Sequence, residues 1–217
     1  MIKLEIGLVK VNWDDISKYS EEEITYFLFL EGKSTEAICK IRKIDNETIH
    51  KHIIEGKIKY RFLARSNNFK ELFHDLIKAG KQDKLSLLKG LSSKHSKEFI
   101  DFIRRRYVEM DGKEKEVAIW ILGELADSSS LDILIKASVH KFVSIRRMAV
   151  SAMGKICDIK FETALIRALE DENPQVVLYA IKALTKMRSK ASREKIIILA
   201  SKSDKDYIKN AAAEFIK

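Results

Sequence analysis

The side chains best suited to chemistry in this sequence are the bases and hydroxyls of residues 33–65. This segment contains nine Lys and Arg and four Asp and Glu, which gives a net charge of +5, whereas residues 1–32 carry a net charge of −4. Positive charge at this density attracts a polyanion such as nucleic acid, and hydroxyls and N–H groups at a helix start bind phosphate oxygens. The segment therefore offers candidate DNA contacts. These are Lys33, Ser34, Thr35, Asn46, His50, Lys51, Lys57 and Lys59.

Three predicted helices would position these side chains. Ser20 and Glu23 form a capping box that starts the first helix, and Gly32 ends it. The second helix starts at Ser34 or Thr35. After a turn at residues 43–45, the third helix is predicted over 46–55, with Gly56 ending it. The apolar residues predicted to face the interior are Ile38, Cys39 and Ile41 in the second helix and Ile49 and Ile53 in the third.

The stretch Gly32-Lys-Ser-Thr-Glu-Ala-Ile-Cys-Lys-Ile-Arg-Lys-Ile-Asp-Asn-Glu-Thr-Ile-His-Lys-His-Ile resembles tri-helical helix-turn-helix modules of LuxR-type regulators and of RecQ-type helicases. Thr48-Ile49 and His52-Ile53 fall where such modules place Thr-Val and His-Leu. Lys43 departs from the glycine that is frequent in the family's turn. The resemblance implies a third helix in the major groove, with Asn46, Glu47, His50 and Lys51 at its leading face and the other candidate residues at phosphates.

An interaction-only role is the alternative for this module, because Glu47 would face a polyanion and many such modules bind proteins. A nucleotide site is excluded, since Gly32-Lys-Ser lacks the other glycine of a phosphate-binding loop, where Phe27 stands. His50 and His52 point to nearly opposite sides of a helix, so we expect no metal site. Cys39 and Cys157 are predicted to be free buried thiols. No residue set predicts a catalytic site.

A period of about 31 residues runs through the second half of the chain. Gly123 and Gly154 stand 31 residues apart in similar strings, and the helices before and after them repeat with steps of 31 or 32 residues. Each unit is therefore predicted to be an antiparallel helix pair in which small residues allow close approach. The repeating small residues are Ala118, Ala149, Ala180 and Ala212, and the repeating apolar residues of the preceding helices are Ile103, Leu134, Leu165 and Ile197.

The strings Val143-Ser-Ile-Arg-Arg-Met-Ala-Val-Ser-Ala-Met-Gly and Asp171-Glu-Asn-Pro-Gln-Val-Val-Leu-Tyr-Ala-Ile-Lys-Ala-Leu resemble HEAT repeats of the short type found in phycobilin lyases. The resemblance covers residues 95–217 and implies an α-solenoid. Residues 68–92 form a further helical pair, either a cap or a divergent repeat. At the position of Arg146 and Arg147, the family's arginine usually pairs with an acid of the next repeat.

Two other features of the repeats have alternative readings. The run Arg104-Arg105-Arg106 is either a secondary basic patch or a solvated helix face. Trp120 with Glu124 resembles the aromatic and carboxylate pair of HEAT-like DNA glycosylases, although a packing tryptophan is the simpler interpretation. An enzyme of the bilin-lyase or glycosylase kind is therefore kept as an alternative.

The predicted fold class is all-α: an α-solenoid of about four helical pairs, preceded by a helical capping pair and the tri-helical module. The alternation of Ile2, Leu4 and Ile6 adds a short β segment, which needs a partner such as residues 8–11 or another chain. The predicted limits are 1–19, 20–66 and 67–217. The expected function is that of a cytoplasmic, non-enzymatic adaptor or regulator that binds double-stranded DNA and a protein partner. No cofactor, metal or membrane contact is expected, and the alternative is a pure protein-interaction scaffold.

Overall fold

The computed structural model describes residues 3–216 and divides the chain into two compact units at Ser92 and Ser93. Helices dominate both units, and a two-stranded sheet stands at the N-terminus. The all-α prediction with a short β segment is therefore confirmed. None of the helices described is sufficiently long and apolar to span a membrane.

The first unit opens with a β-hairpin. Strand β1 (Lys3–Ile6) pairs antiparallel with β2 (Val9–Asn12), so that Leu4 lies opposite Val11. The partner expected near residues 8–11 is thus confirmed, while Ile2 lies outside the described residues. A short 3₁₀ segment, Trp13–Lys18, leads to the first α-helix.

Three helices follow: α1 (Glu21–Leu30), α2 (Thr35–Arg42) and α3 (Asn46–Arg65). The capping box is confirmed, because Glu23 N–H donates to Ser20 Oγ (3.3 Å) and Ser20 N–H donates to the Glu23 carboxylate (2.9 Å). The small core between α2 and α3 contains Ile38, Ile49 and Ile53, as predicted, with Cys39 partly buried against it.

The inward position predicted for Ile41 is wrong, since its side chain is 55% exposed. Arg42 takes the inward side of α2 instead, and its guanidinium binds Glu21 and Thr25 of α1. Consecutive side chains of a helix point in directions about 100° apart, so when Arg42 faces α1, Ile41 faces solvent.

Gly56 does not end the third helix as predicted. Helix α3 continues to Arg65, and Gly56 is buried in its interior. A Cβ at this position would overlap Cγ of Tyr26 and lie 2.5 Å from its Cβ. The glycine therefore permits the close approach of α1 to α3 rather than a helix end.

The hairpin packs on the far end of α3. Leu8 N–H donates to the carbonyl of Leu63 (2.8 Å). Gly7, with a φ of +57°, faces three carbonyls at the end of the helix, and a Cβ there would lie 2.6 Å from the Leu63 oxygen. Glycine is required for both reasons.

Helices α4 (Phe69–Lys78) and α5 (Lys81–Gly90) complete the first unit. Both contact α3. The helical pair that the sequence grouped with the repeats thus lies in the same compact unit as the hairpin and α1 to α3.

The described residues of the second unit form four successive helix pairs. The pairs are α6 (Ser93–Arg106) with α7 (Gly112–Leu125), α8 (Leu131–Ala137) with α9 (Val143–Ile156), α10 (Glu162–Ala168) with α11 (Pro174–Met187), and α12 (Arg193–Lys202) with α13 (Asp206–Ile216). Helix α7 packs on α9, α9 on α11, and α11 on α13. Each pair thus packs on the next one along the chain, which is the arrangement that the 31-residue period predicts.

Small residues set the distance between the second helices of successive pairs. Ala118, Ala149 and Ala180 are fully buried. A Cβ on Gly123 would lie 2.7 Å from Cβ of Ala152, and one on Gly154 would lie 2.9 Å from Cβ of Ala183. The two glycines that reveal the repeat are therefore at the closest points of the helix packing.

Three second helices end alike. Ala126, Cys157 and Arg188 follow α7, α9 and α11 at steps of 31 residues, and each has a left-handed backbone with φ between +51° and +59°. Glycine is the usual residue at such helix ends. The repeat thus places residues with a Cβ where the backbone favours glycine.

Ala126→Gly is expected to raise the free energy of unfolding by about 0.5–1 kcal/mol. The left-handed conformation disfavours a Cβ, and glycine avoids this cost at the price of greater freedom in the unfolded chain. Ala126 is exposed, so little packing is lost. Chemical denaturation measures the change. Ala213→Gly, exposed within α13, is the control and should lower the stability by about 1 kcal/mol; a loss of stability at Ala126 as well would contradict the prediction.

Candidate nucleic-acid interface

The leading face of α3 is open. Asn46, Glu47, His50 and Lys51 are exposed, and within residues 3–216 their side chains make no hydrogen bond or ion pair. All four belong to the first two turns of the helix. The structure thus brings three of the predicted contact residues, Asn46, His50 and Lys51, together on one accessible surface, which they share with the acidic side chain of Glu47.

The N-terminus of α3 is already occupied by an anion of the chain itself. Asp45 accepts the N–H of Thr48 (2.9 Å) and the Thr48 hydroxyl (2.7 Å). The backbone N–H of Thr48, followed by its hydroxyl, holds the pKa of Asp45 below its usual value. The N–H and hydroxyl of Thr48 are therefore not available to a phosphate, which leaves the exposed side chains of α3 as its main candidate contacts.

The start of α2 was also predicted to contact phosphates, through Lys33, Ser34 and Thr35. Ser34 caps the helix by accepting the N–H of Ala37 (3.2 Å), and the Thr35 hydroxyl lies 3.4 Å from the Glu36 carboxylate. The side chain of Lys33 is exposed and has no partner among the described residues. The Ser34 hydroxyl also bonds to the Glu36 carboxylate, so both hydroxyls of this corner are engaged and Lys33 is its free cation among the described residues.

A polar joint of four residues, Glu21, Thr25, Arg42 and His52, holds the three helices together. The hydroxyl of buried Thr25 donates to the Glu21 carbonyl (3.0 Å) and lies 3.1 Å from His52 Nδ1. Arg42 donates to the same hydroxyl (3.3 Å) and binds the Glu21 carboxylate. His52 therefore has a positioning role on the inner side of α3, and the joint fixes the orientation of the leading face.

Lys57 and Lys59 lie on α3 itself, because the helix continues past Gly56. Lys59 pairs with Glu23 of α1 (2.6 Å), and Lys57 Nζ stands 5.0 Å from the ring centre of Phe29. Nine residues separate Lys59 from His50, which is a half-turn offset on a helix. The structure does not bring Lys59 together with the leading face.

Two exposed isoleucines continue the leading face along α3. Ile54 and Ile58 are 58% and 62% exposed and follow His50 at steps of four residues. The base edges of DNA carry thymine methyl groups, which apolar side chains contact. Sequence reasoning missed these residues because it ended the helix before Ile58 and searched for polar groups.

Residues 21–105 match the family model of a helix-turn-helix domain, from the first residue of α1 into α6. This segment carries a helix-turn-helix domain. No curated protein matches the chain. The turn of the domain is the Lys43–Asp45 connection between α2 and α3, in which Lys43 has a left-handed φ of +54° in the place where glycine is frequent.

The secondary basic patch lies at the end of α6, away from the α2–α3 turn in sequence. Arg104, Arg105 and Arg106 are all exposed. Arg106 pairs with Glu109 (3.0 Å), whereas Arg104 and Arg105 have no partner among the described residues. The two unpaired arginines line a cleft of about 390 Å³ with residues of α8.

Arg146 and Lys155 each form an ion pair that links neighbouring helix pairs. Arg146 donates to both oxygens of Asp171 in the next pair, at 2.7 and 3.0 Å, as the resemblance implied. Lys155 binds Glu124 and stands 6.0 Å from the ring centre of Trp120. Glu124 is thus engaged by a cation, and no group of His, Cys, Asp and Glu in residues 3–216 could hold a metal ion.

Proposed function

We propose that this protein is a non-enzymatic regulator or adaptor that binds double-stranded DNA through α3 and a protein partner through its HEAT-like repeats. The supporting observation is the leading face of α3: Asn46, His50 and Lys51 are exposed and unpaired on a helix that the polar joint holds in place. In this proposal α3 enters the major groove, and Lys33 contacts the phosphate backbone.

The pure scaffold alternative requires the outer face of α3 to be covered. Helix α5 approaches α3 near Lys59, where a Cβ on Gly90 would lie 3.5 Å from Cγ of Lys59. His50 and Lys51 stay exposed at the opposite end of the helix. The uncovered leading face therefore favours DNA binding over an interaction-only role for this domain.

We expect duplex DNA binding to weaken with salt, with a slope that corresponds to several phosphates. Lys51→Ala should reduce the slope of log K against log salt by about one, because each lost phosphate contact releases about one counterion fewer. Fluorescence anisotropy with a labelled 25-base-pair duplex of random sequence measures both the affinity and the slope.

Lys59→Ala is the matched control. It removes one positive charge from the same helix, but Lys59 is paired with Glu23 and offset from the leading face. Its slope should equal that of the wild type. Absence of duplex binding at 50 mM salt, or equal losses in both variants, would refute the proposed role of the leading face.

A further inference from the structure

A row of cations runs along the first helices of three successive pairs in the second unit. Arg105, Lys136 and Arg167 are the penultimate residues of α6, α8 and α10 and stand 31 residues apart. All three are exposed.

Of the three cations of the row, Arg167 alone bonds to a neighbouring pair among the described residues. Arg105 and Lys136 make no hydrogen bond or ion pair within residues 3–216, and Arg167 donates only to Ser138 Oγ (3.3 Å). Neighbouring bases behave differently, since Arg146 and Lys195 pair with Asp171 and Glu170 at 2.7 and 2.6 Å. The row is therefore available to an external ligand.

The α6–α8 cleft lies between the first two members of the row. Besides Arg105 and Lys136, the carboxylates of Asp101 and Asp132 line it, and they too have no partner among the described residues. Tyr107, also in the lining, has a buried hydroxyl without a hydrogen-bond partner in the described part of the chain. The cleft thus presents unsatisfied donors and acceptors together.

Exposed valines accompany the cations with the same period. Val108 and Val139 are 84% and 57% exposed, stand 31 residues apart, and follow the ends of α6 and α8. Val108 is part of the α6–α8 cleft. The first pair therefore offers two free cations, Arg104 and Arg105, and the second pair offers one, Lys136. Each of the two pairs also offers one free carboxylate and one exposed apolar side chain.

This composition discriminates between ligands. A nucleic-acid backbone would be repelled by Asp101 and Asp132 and has no use for exposed valines, because phosphates accept hydrogen bonds and carry negative charge. A polypeptide has N–H groups for the carboxylates, apolar side chains for the valines and acidic side chains for the cations. Stabilising the helix C-terminus would explain the cations alone, but neither the valines nor the open cleft.

We propose that this edge of the second unit binds an extended, acidic segment of a partner protein, with acidic side chains three residues apart. The second helices of successive pairs pack on one another, at a usual spacing of about 8–10 Å, so the row repeats at about that step. A peptide in the extended polyproline II conformation advances roughly 3.1 Å per residue and completes one turn in three residues, so acidic side chains three residues apart lie on one side and match this step. The inference deepens the partner-binding half of the proposed function and rests on it, but it does not depend on DNA binding.

The test uses the full chain and a fluorescein-labelled twelve-residue peptide, four repeats of Glu-Val-Ser, followed by fluorescence anisotropy at 50 mM salt. We expect saturable binding that the double variant Arg105→Glu with Lys136→Glu weakens at least tenfold. A peptide of equal composition with its four glutamates contiguous should bind at least fivefold more weakly, because it cannot match the step of the row.

The matched control is Lys182→Glu with Lys209→Glu, which reverses two exposed, unpaired cations on second helices. It changes the net charge equally and should alter peptide binding less than twofold. The proposal is overturned if the wild type shows no saturable peptide binding, or if the control variant loses as much peptide affinity as the Arg105 and Lys136 variant. It is also overturned if the Arg105 and Lys136 variant keeps its peptide binding but loses tenfold in duplex affinity. Lys51→Ala should keep full peptide binding, so this test fails or succeeds independently of the DNA-binding proposal.

Discussion

Arg146→Met is expected to lower the free energy of unfolding by about 3–5 kcal/mol. All five N–H groups of this buried arginine are bonded: two to Asp171, one to Glu172 (3.1 Å), and two to the carbonyls of His140 and Lys141. Removing it leaves the nearly buried Asp171 carboxylate without its cation, and a buried charge without a partner is costly. Chemical denaturation followed by circular dichroism measures the change.

Arg147→Met is the control for this prediction. Arg147 is the next residue of α9, but it is exposed and has no partner among the described residues, so the expected change is within about 0.5 kcal/mol. Equal losses in the two variants would show that the ion pair between repeats contributes nothing specific.

The same pair gives the wild type a dependence on pH that Arg146→Met should lack. Burial is the largest single effect and raises the pKa of Asp171, but the hydrogen bonds from Arg146 and from the Asn173 N–H, together with the positive charge of Arg146, outweigh burial and lower the pKa. A carboxyl with a lowered pKa stabilises the fold above its unfolded pKa of about 3.9 and loses this contribution as the pH falls below it. The stability difference between wild type and variant should therefore shrink below pH 4.

Gly56→Ala is expected to destabilise the helix-turn-helix domain by about 2 kcal/mol. The added Cβ overlaps the ring of Tyr26, which is itself buried between α1 and α3 and cannot turn away. Overpacking of this kind costs about 1–3 kcal/mol or more, which exceeds the roughly 1 kcal/mol that alanine gains over glycine within a helix. Thermal and urea unfolding monitored by circular dichroism measure the result.

Gly90→Ala is the matched control in the same unit. This glycine also lies in a helix, but the nearest atom to its added Cβ would be the flexible Cγ of Lys59 at 3.5 Å, an ordinary contact. We expect no loss, or a gain of a few tenths of a kcal/mol. If Gly56→Ala were as stable as this control, the close approach of α1 to α3 would be wrong.

The repeats were predictable because the same pattern of small residues recurs in each helix pair. Gly123 and Gly154, with the alanines at steps of 31 and 32, report the same packing distance in successive pairs, and the structure places both glycines at contacts with the next helix. The helix starts at Ser20 and Asn46 were predictable for a different reason, since caps are local chemistry. The limit at Gly56 failed because a glycine that ends a helix and one that admits a neighbouring ring look the same in sequence.

The candidate DNA site was only partly predictable. The exposed face of Asn46, His50 and Lys51 follows from helical spacing, which sequence shows directly. The ion pair of Lys59 with Glu23 joins residues 36 positions apart, and no local pattern records it. The cationic row was also missed, because its members lie on first helices, whereas the sequence search followed the second helices, whose pattern is clearer.

The glycine turn of the hairpin has a consequence for the direction in which α3 presents its exposed side chains. Helix α3 has twenty residues, which makes it a stiff rod about 30 Å long. Gly7 and Leu8 fix the azimuth of this rod at its C-terminal end, because they contact the carbonyls of Leu63 and its neighbours. A shift of one residue in that contact would rotate the whole helix by about 100° and turn His50 to another side of the domain. The N-terminal hairpin thus sets the angular register of side chains that lie at the opposite end of the domain.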